Sequence, residues 1–302
     1  MTAVSRTVSG GAGMQVRVRL VLLAALPALL LLLVVFAYPI VQTVQLSLSE
    51  WRGFGPMEWT GLDNYADVLS SDAFWDALRN TVVFALGATI CIVAAALLLA
   101  VAATRGQRFD PAFRAIWFLP AIVPGTAAAV FWSISVQPQS GVVNAVLGFL
   151  GLGNGHAWLA SPETALWVIV GVAAWTSTAF PFLLLAGAID RVPAEVYEAA
   201  RIDGAGDAQQ FWYFTIPLIR PVLTMVVALQ LIWNFNAFTL VWAMTKGGPA
   251  GSTTILPVLL YQEGFKNGDF GTAAAMGVIS SALLIALGAV TLRGSASRAA
   301  GE

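Results

Sequence analysis

The sequence predicts an all-α membrane protein with six transmembrane helices. The prediction depends on the composition, on six long apolar runs and on the distribution of the basic residues. Of the 302 residues, 58% are hydrophobic and only 10% are charged, whereas an ordinary soluble domain carries about 25% charged residues. So few charges cannot cover a surface exposed to water, so we expect most of the protein to be surrounded by membrane lipid.

The six apolar runs each approach or exceed the length of about 20 residues that a helix needs to cross a bilayer. None of them contains Asp, Glu, Lys or Arg. Because backbone polar groups find no water in hydrocarbon, each span should be helical. The predicted spans are 20–42, 81–103, 115–135, 164–189, 222–244 and 271–292. They form one transmembrane domain, residues 20–292, between tails at residues 1–19 and 293–302.

The basic residues predict the orientation, because cytoplasmic loops carry the excess of Lys and Arg. Eleven of the 15 fall on one side: Arg6, Arg17, Arg19, Arg105, Arg108, Arg114, Arg191, Arg201, Arg220, Arg293 and Arg298. We therefore expect both termini and the loop at 190–220 to be cytoplasmic, in the plasma (inner) membrane. A cleaved signal peptide is the alternative for span one. The apolar run continues through residues 38–41 without a small-residue cleavage site, so we favour an uncleaved span.

The remaining composition limits the chemistry. A net charge of −1 gives no basis for binding nucleic acid. One cysteine, Cys91, and one histidine, His156, cannot form a conventional zinc site, so we predict no metal. The only lysines, Lys246 and Lys266, lack the Gly-rich, Ser/Thr-flanked setting of a phosphate-binding loop. We predict no catalytic residue, no bound cofactor and no enzymatic activity.

The cytoplasmic loop at 190–220 predicts two short helices at an angle. Pro193 suits the first position of a helix, and Gly204 is expected to end that helix in the left-handed conformation. We expect Asp207 to cap the second helix and Gln210 to complete a pair like a capping box. Spacing alone leaves open a loop that merely lies on the lipid headgroups.

This loop resembles the signature of permease subunits of bacterial ABC importers: Glu-Ala-Ala, three residues, Gly, nine residues, then Ile-x-Leu-Pro. Phe214 and Ile216 stand where Ile and Leu are usual, and both are apolar. The matching residues are Glu198, Ala199, Ala200, Gly204 and Pro217, and Asp203 lies within the same segment.

The resemblance covers about residues 15 to 295. Residues 38–40, 61–65 and 245–249 are similar to carbohydrate-uptake permeases of the maltose type. Among the two non-identical permeases of such systems, the chain resembles the larger one without its large extra outer domain.

The resemblance implies the type I ABC importer permease fold and a sugar, either a mono- or an oligosaccharide, as the transported solute. It implies a second, non-identical permease, two copies of a cytoplasmic ABC ATPase that bind ATP and Mg, and an extracytoplasmic sugar-binding protein. By the same resemblance, the segment from Glu198 to Gly204 would enter a cleft of one ATPase. A glycerol-3-phosphate or polyol permease is the alternative within this class, and a sodium-coupled carrier is the alternative outside it.

Two further sets of residues are candidates for contact with the solute or the binding protein. Amide and aromatic side chains in span five suit an uncharged, hydroxyl-rich solute: Gln230, Trp233, Asn234, Asn236 and Phe238. Helical spacing places all of these except Asn236 near one face, and hydrogen bonding between helices is the competing explanation. Gly247, Gly248 and Pro249 could contact the binding protein or could simply form a tight turn.

Overall fold

The computed structural model describes residues 24–105 and 111–299. The predicted tail at 1–19 and Arg108 therefore lie outside the described residues, as do residues 20–23 and 300–302.

Within those limits the chain is helical except for its loops and one pair of very short antiparallel strands, β1 (Ser49–Glu50) and β2 (Glu58–Trp59). Three π-helical turns occur in the described residues, at Leu33–Ala37, Phe211–Thr215 and Gln262–Lys266. In chain order the helices are α1 (Ala24–Ser47), α2 (Asp63–Ser70), α3 (Asp72–Arg105), α4 (Pro111–Ile122), α5 (Gly125–Ser135), α6 (Val142–Phe149), α7 (Ala165–Ser177), α8 (Ala179–Ile189), α9 (Ala194–Ile202), α10 (Asp207–Phe235), α11 (Phe238–Thr245), α12 (Leu256–Tyr261) and α13 (Phe270–Ala299).

Four of these helices, α1, α3, α10 and α13, are long and apolar enough to cross a bilayer. Two further pairs reach that length only together, and each is bent: α4 with α5 by 97°, and α7 with α8 by 52°. The described chain therefore holds four candidate spans, or up to six if each bent pair crosses once. The predicted all-α membrane fold is confirmed, and the number six stays a prediction.

Prolines lie at both bends. Pro124 directly precedes α5, and Pro181 is the third residue of α8. Proline has no N–H to donate, and its ring clashes with the carbonyl of the preceding turn. Two of the predicted spans, 115–135 and 164–189, are therefore each built from two helices.

The predicted span at 222–244 is also interrupted, although no proline lies at the break. α10 ends at Phe235, and α11 begins at Phe238. The side-chain amide of Asn236 donates to the carbonyl of Ile232 at 3.2 Å. Asn side chains that bond nearby backbone compete with the helical ladder, and the helix stops here.

The long helix α3 lies at the centre of the bundle and packs against α7, α8 and α10. Its buried face carries many small residues, including Ala88, Ala96 and Ala100, which are fully buried. Small residues let helix backbones approach closely in a membrane protein. The larger side chains of this core are Phe84, Ile92, Ile169, Phe182, Leu185 and Ile219.

The bundle has two ends. One end, here called the loop end, carries residues 190–220. The opposite end carries residues 48–71 and 246–269. At the opposite end, Asn64 Nδ2 donates to the carbonyls of Ser47 and Ser49, both at 3.0 Å. These bonds hold α2 against the end of α1 and fix the strand pair beside it.

Candidate functional site

The signature loop folds into a two-helix knob, residues 193–217. Its first helix, α9, starts directly after Pro193 and is followed by Gly204 at φ +81°. The N–H of Ala205 donates to the carbonyl of Ala200 at 2.9 Å, and the N–H of Gly204 donates to that of Arg201 at 3.1 Å. This pair of bonds is the Schellman ending of a helix. The predicted left-handed glycine is confirmed.

The start of the second helix differs from the prediction. Gly206 is the N-cap, and its N–H donates to Oε1 of Gln209 at 2.9 Å. The predicted cap by Asp207 is wrong, because Asp207 is already the first helical residue. The predicted role of Gln210 is also wrong: this side chain is only 4% exposed, and its amide donates to the carbonyl of Ala205 at 2.8 Å.

Side-chain bonds fasten the two helices of the knob to each other. The hydroxyls of Tyr197 on α9 and Thr215 on α10 are 3.1 Å apart. Thr215 Oγ1 also donates to the carbonyl of Gln210 at 3.3 Å. The bond between Tyr197 and Thr215 joins the two helices, and the bond from Gln210 to Ala205 joins the second helix to the turn. The knob can therefore move as one body.

The knob presents an acidic outer surface. Glu198 and Asp203 are exposed, and neither takes part in an ion pair within the described part of the chain. The signature residues divide by burial. Glu198, Ala199, Asp203, Gly204 and Pro217 are exposed, Phe214 and Ile216 are half-buried, and Ala200 is buried. The buried and half-buried members pack the knob, and the exposed ones are available to a partner.

A cavity of about 420 Å³ lies between the knob and the ends of α3 and α8. Val101 of α3 and Ile189 of α8 line one side, while Tyr197, Arg201 and Phe211 line the other. The first helix of the knob therefore does not pack tightly against the ends of α3 and α8.

The candidate residues of span five do not share one surface. Gln230 and Asn234 are buried, Trp233 is exposed, and Phe238 lies on α11 beyond the break. Asn234 Nδ2 donates to Oγ1 of Thr89 on α3 at 3.1 Å. The predicted common face is therefore wrong, since the helix does not continue to Phe238. For Asn234, the contact observed is the bond between helices.

An aromatic strip extends from Phe238, which is the one member of the strip among the predicted path residues. From there the ring centroids of Tyr261 and Phe265 follow at successive separations of 5.2 and 5.1 Å. Phe270 continues the row at 5.7 Å, and Trp242 lies 4.7 Å from Tyr261. The sequence shows that Tyr261 and Phe265 are four residues apart and so lie on one side of a helix. It does not show that they pack against the aromatic residues of α11.

The glycine-rich turn after α11 is tightly bonded to its own chain. Gly247 is buried at φ +93°, and its carbonyl accepts from Oγ1 of Thr254 at 3.0 Å. The carbonyl of Gly248 accepts from Oγ1 of Thr253 at 2.7 Å, and the peptide bond to Pro249 is cis. The structure therefore shows a tight turn at these residues, and any role in binding a partner stays a prediction.

Comparison with known proteins decides the family. The model of the binding-protein-dependent transport system inner membrane component matches residues 92–298, a stretch that includes the whole two-helix knob. The chain belongs to this family. The matched stretch also includes α7, α8 and all of α10.

Two relatives of this chain are named for the solutes that their transport systems carry. The chain is 34% identical over 282 residues to the diacetylchitobiose uptake system permease protein NgcF of Streptomyces coelicolor, covering 89% of this chain and 80% of the relative. It is 31% identical over 271 residues to the sn-glycerol-3-phosphate transport system permease protein UgpA of Agrobacterium fabrum, covering 88% and 91%.

The fold also matches a solved structure. A chain of a bacterial ABC transporter involved in the import of the acidic polysaccharide alginate superposes with a TM-score of 0.79 at 21% identity. The match covers 93% of this chain and 96% of that one. The chain therefore has the fold of an ABC importer permease.

Proposed function

We propose that the chain is a transmembrane permease subunit of an ATP-driven importer that carries a mono- or oligosaccharide across the plasma membrane. The two-helix knob is the observation that carries this proposal. It is rigid, exposed at one end of the bundle and connected directly to α8 and α10. Family membership favours this function over a sodium-coupled carrier that acts alone.

The knob would transmit motion from the ATPase to the membrane helices. Glu198 and Asp203 carry negative charge on its outer surface without an ion-pair partner in the described chain. A cleft on an ATPase that offers a basic residue would bind this surface. Because the knob is fastened internally, closing of the two ATPases would displace α8 and α10 rather than deform the loop.

The assembly would contain a second, non-identical permease, two ABC ATPases with ATP and Mg, and an extracytoplasmic sugar-binding protein. The family name itself describes transport that depends on a binding protein. In this proposal the knob and both termini would be cytoplasmic, as expected from the excess of basic residues on that side. The Gly247 turn at the opposite end would then face the binding protein.

The aromatic strip supports a sugar as the solute. Pyranose rings bind aromatic faces together with a few polar groups, and an uncharged solute needs no buried charge. Phe265 is 68% exposed, and Lys266 Nζ lies 4.8 Å from the ring centre of Trp242. In this proposal the strip and the exposed Asn236 at the helix break line part of the sugar's path.

Reconstitution of the whole importer in proteoliposomes tests the function. We expect ATP-dependent accumulation of at least one neutral sugar from a labelled panel, and only when the binding protein is present. Uptake by the chain alone, driven by a sodium gradient, would contradict the proposal. Loss of uptake in Phe265→Ala, with ATPase stimulation by the loaded binding protein retained, would place the strip on the path.

Assembly with the ATPase tests the knob separately. Glu198→Arg and Gly204→Pro should each reduce co-purification of the ATPase without reducing the amount of permease in the membrane. Glu58→Arg, an equal charge reversal on exposed β2 at the opposite end, is the matched control and should assemble normally. Full assembly and coupled transport in both knob variants would refute the role of the knob.

A phosphorylated polyol is the second candidate solute, because the chain is 31% identical to the glycerol-3-phosphate permease of Agrobacterium fabrum. An anionic solute favours basic residues near its path; the predicted spans contain none, and Lys266 beside Trp242 is the basic residue that lies at the aromatic strip. The sugar panel should therefore include glycerol-3-phosphate. Uptake of this compound alone would replace the sugar in the proposal.

A further inference from the structure

A groove at the loop end has the chemistry of a lipid site. It lies between α8 and α10 and has a volume of about 540 Å³. Its lining is apolar except for Arg191, which lies just beyond the end of α8. We propose that this groove binds an anionic phospholipid, with an acyl chain between the helices and the headgroup phosphate at Arg191.

Two small residues, Gly187 and Ala188, lie on the α8 side of the groove. Leu184, Gly187, Ala188 and Arg191 follow at helical spacing and therefore lie along one stripe, which ends in the charge. A Cβ built on Gly187 would meet no heavy atom within 4 Å. The space beside the backbone is thus open, which leaves room for a hydrocarbon chain to lie along the helix.

The α10 side supplies larger apolar side chains. Leu218, Val222 and Met225 lie one helical turn apart, and Leu218 and Met225 are about half exposed. In a bilayer, an acyl chain that lies against these side chains gains only van der Waals packing, whatever its headgroup. The selectivity for an anionic lipid must therefore come from the charge of Arg191.

Arg191 supplies that charge. Its side chain is exposed, and no ion pair in the described part of the chain engages it. The neighbouring carboxylate of Asp190 lines the cavity under the knob, not the groove. A basic group at the end of a cleft between membrane helices is the pattern that selects anionic headgroups.

A phospholipid fits better than a helix of a partner subunit. It brings an apolar chain and a phosphate in one molecule, which matches an apolar groove closed by one arginine. A packed helix would cover the guanidinium of Arg191 unless it also brought a carboxylate, and an unpaired buried charge is costly. This inference needs the groove to lie in the membrane and does not depend on which solute is carried.

Photolabelling of the purified importer tests the site directly. The probes are phosphatidylglycerol and phosphatidylcholine, each with a diazirine on one acyl chain, and the labelled peptides are found by mass spectrometry. We expect label on residues 183–193 and 218–225, with phosphatidylglycerol exceeding phosphatidylcholine by about fivefold, the effect of one basic residue near the headgroups. Equal labelling by the two lipids would overturn the proposal.

Variants with matched controls separate the charge from the groove. Arg191→Gln should abolish the roughly fivefold preference, while Arg220→Gln, on the face of α10 away from the groove, should preserve it. Gly187→Leu should fill the groove and reduce labelling by both lipids, while Gly171→Leu, which also has open space beside it, should not. If Arg191→Gln and Gly187→Leu label like the parent, the site is refuted.

A protein occupant has its own readout. Gly187→Cys, made in a Cys91→Ser background, can be treated with a short thiol cross-linker in the assembled importer. Coupling of this cysteine to the second permease would show that protein fills the groove and would overturn the lipid site. Transport of sugar measured on the same preparation reports on the proposed function independently.

Discussion

The buried bond between Asn234 and Thr89 offers a quantitative test of what the polar residues of α10 do. Asn234 is 5% exposed, Thr89 is 4% exposed, and the donor and acceptor are 3.1 Å apart. Hydrogen bonds between membrane helices contribute about 0.6 kcal/mol on average and at most about 1.7 kcal/mol in double-mutant cycles. Because both partners here are almost fully buried, we expect a coupling free energy within that range.

The perturbation is a double-mutant cycle with Asn234→Ala, Thr89→Ala and the combined variant. The assay is the unfolding equilibrium of the purified complex in mixed micelles with increasing dodecyl sulfate. The coupling should change the unfolding constant by about threefold to about twentyfold, and sugar uptake by each single variant should persist wherever the complex remains assembled.

The opposite pattern would refute this reasoning. If the two substitutions were additive in stability, the bond would contribute nothing. If Asn234→Ala alone then abolished uptake while binding-protein-stimulated ATP hydrolysis continued, Asn234 would contact the solute. Gln230, buried on the same helix one turn earlier, provides a second polar position for comparison.

Three further predictions concern glycines and the knob. Gly204→Ala should destabilise the folded knob by about 1–2 kcal/mol, because φ is +81° although no atom obstructs a Cβ. The ratio of sugar taken up to ATP hydrolysed should fall in this variant, and it should fall less in Gly204→Asn. Gly247→Ala should lower the melting temperature more than Gly251→Ala, because a Cβ on Gly247 would lie 2.5 Å from Oγ1 of Thr254 whereas one on Gly251 meets nothing within 4 Å; equal melting temperatures would contradict this. Gln210→Ala should cost about 1–3 kcal/mol within the knob by removing a buried bond, which faster proteolysis at the turn between the helices would reveal.

Much of the architecture followed from the sequence because its causes are local along the chain. Hydrocarbon excludes charges and unbonded backbone, so long apolar runs without Asp, Glu, Lys or Arg mark the membrane helices. The left-handed ending at Gly204 was also predictable, because only glycine adopts φ +81° without strain. The cap of the second helix was not predictable. Two pairs one residue apart, Gly206 with Gln209 and Asp207 with Gln210, both have the spacing of a capping pair, and the structure uses the first.

The tertiary structure decided which side chains meet. Asn234 and Thr89 are 145 residues apart, and no local periodicity indicates that their side chains bond. The break at Asn236 moved Phe238 onto a separate helix, where it joins Tyr261 of α12. The groove beside Gly187 exists only because residues of α8 and α10, about 30 positions apart in the sequence, line the same open space. Apolar length and backbone strain are properties of one segment, whereas faces, breaks and grooves depend on the packing of several segments.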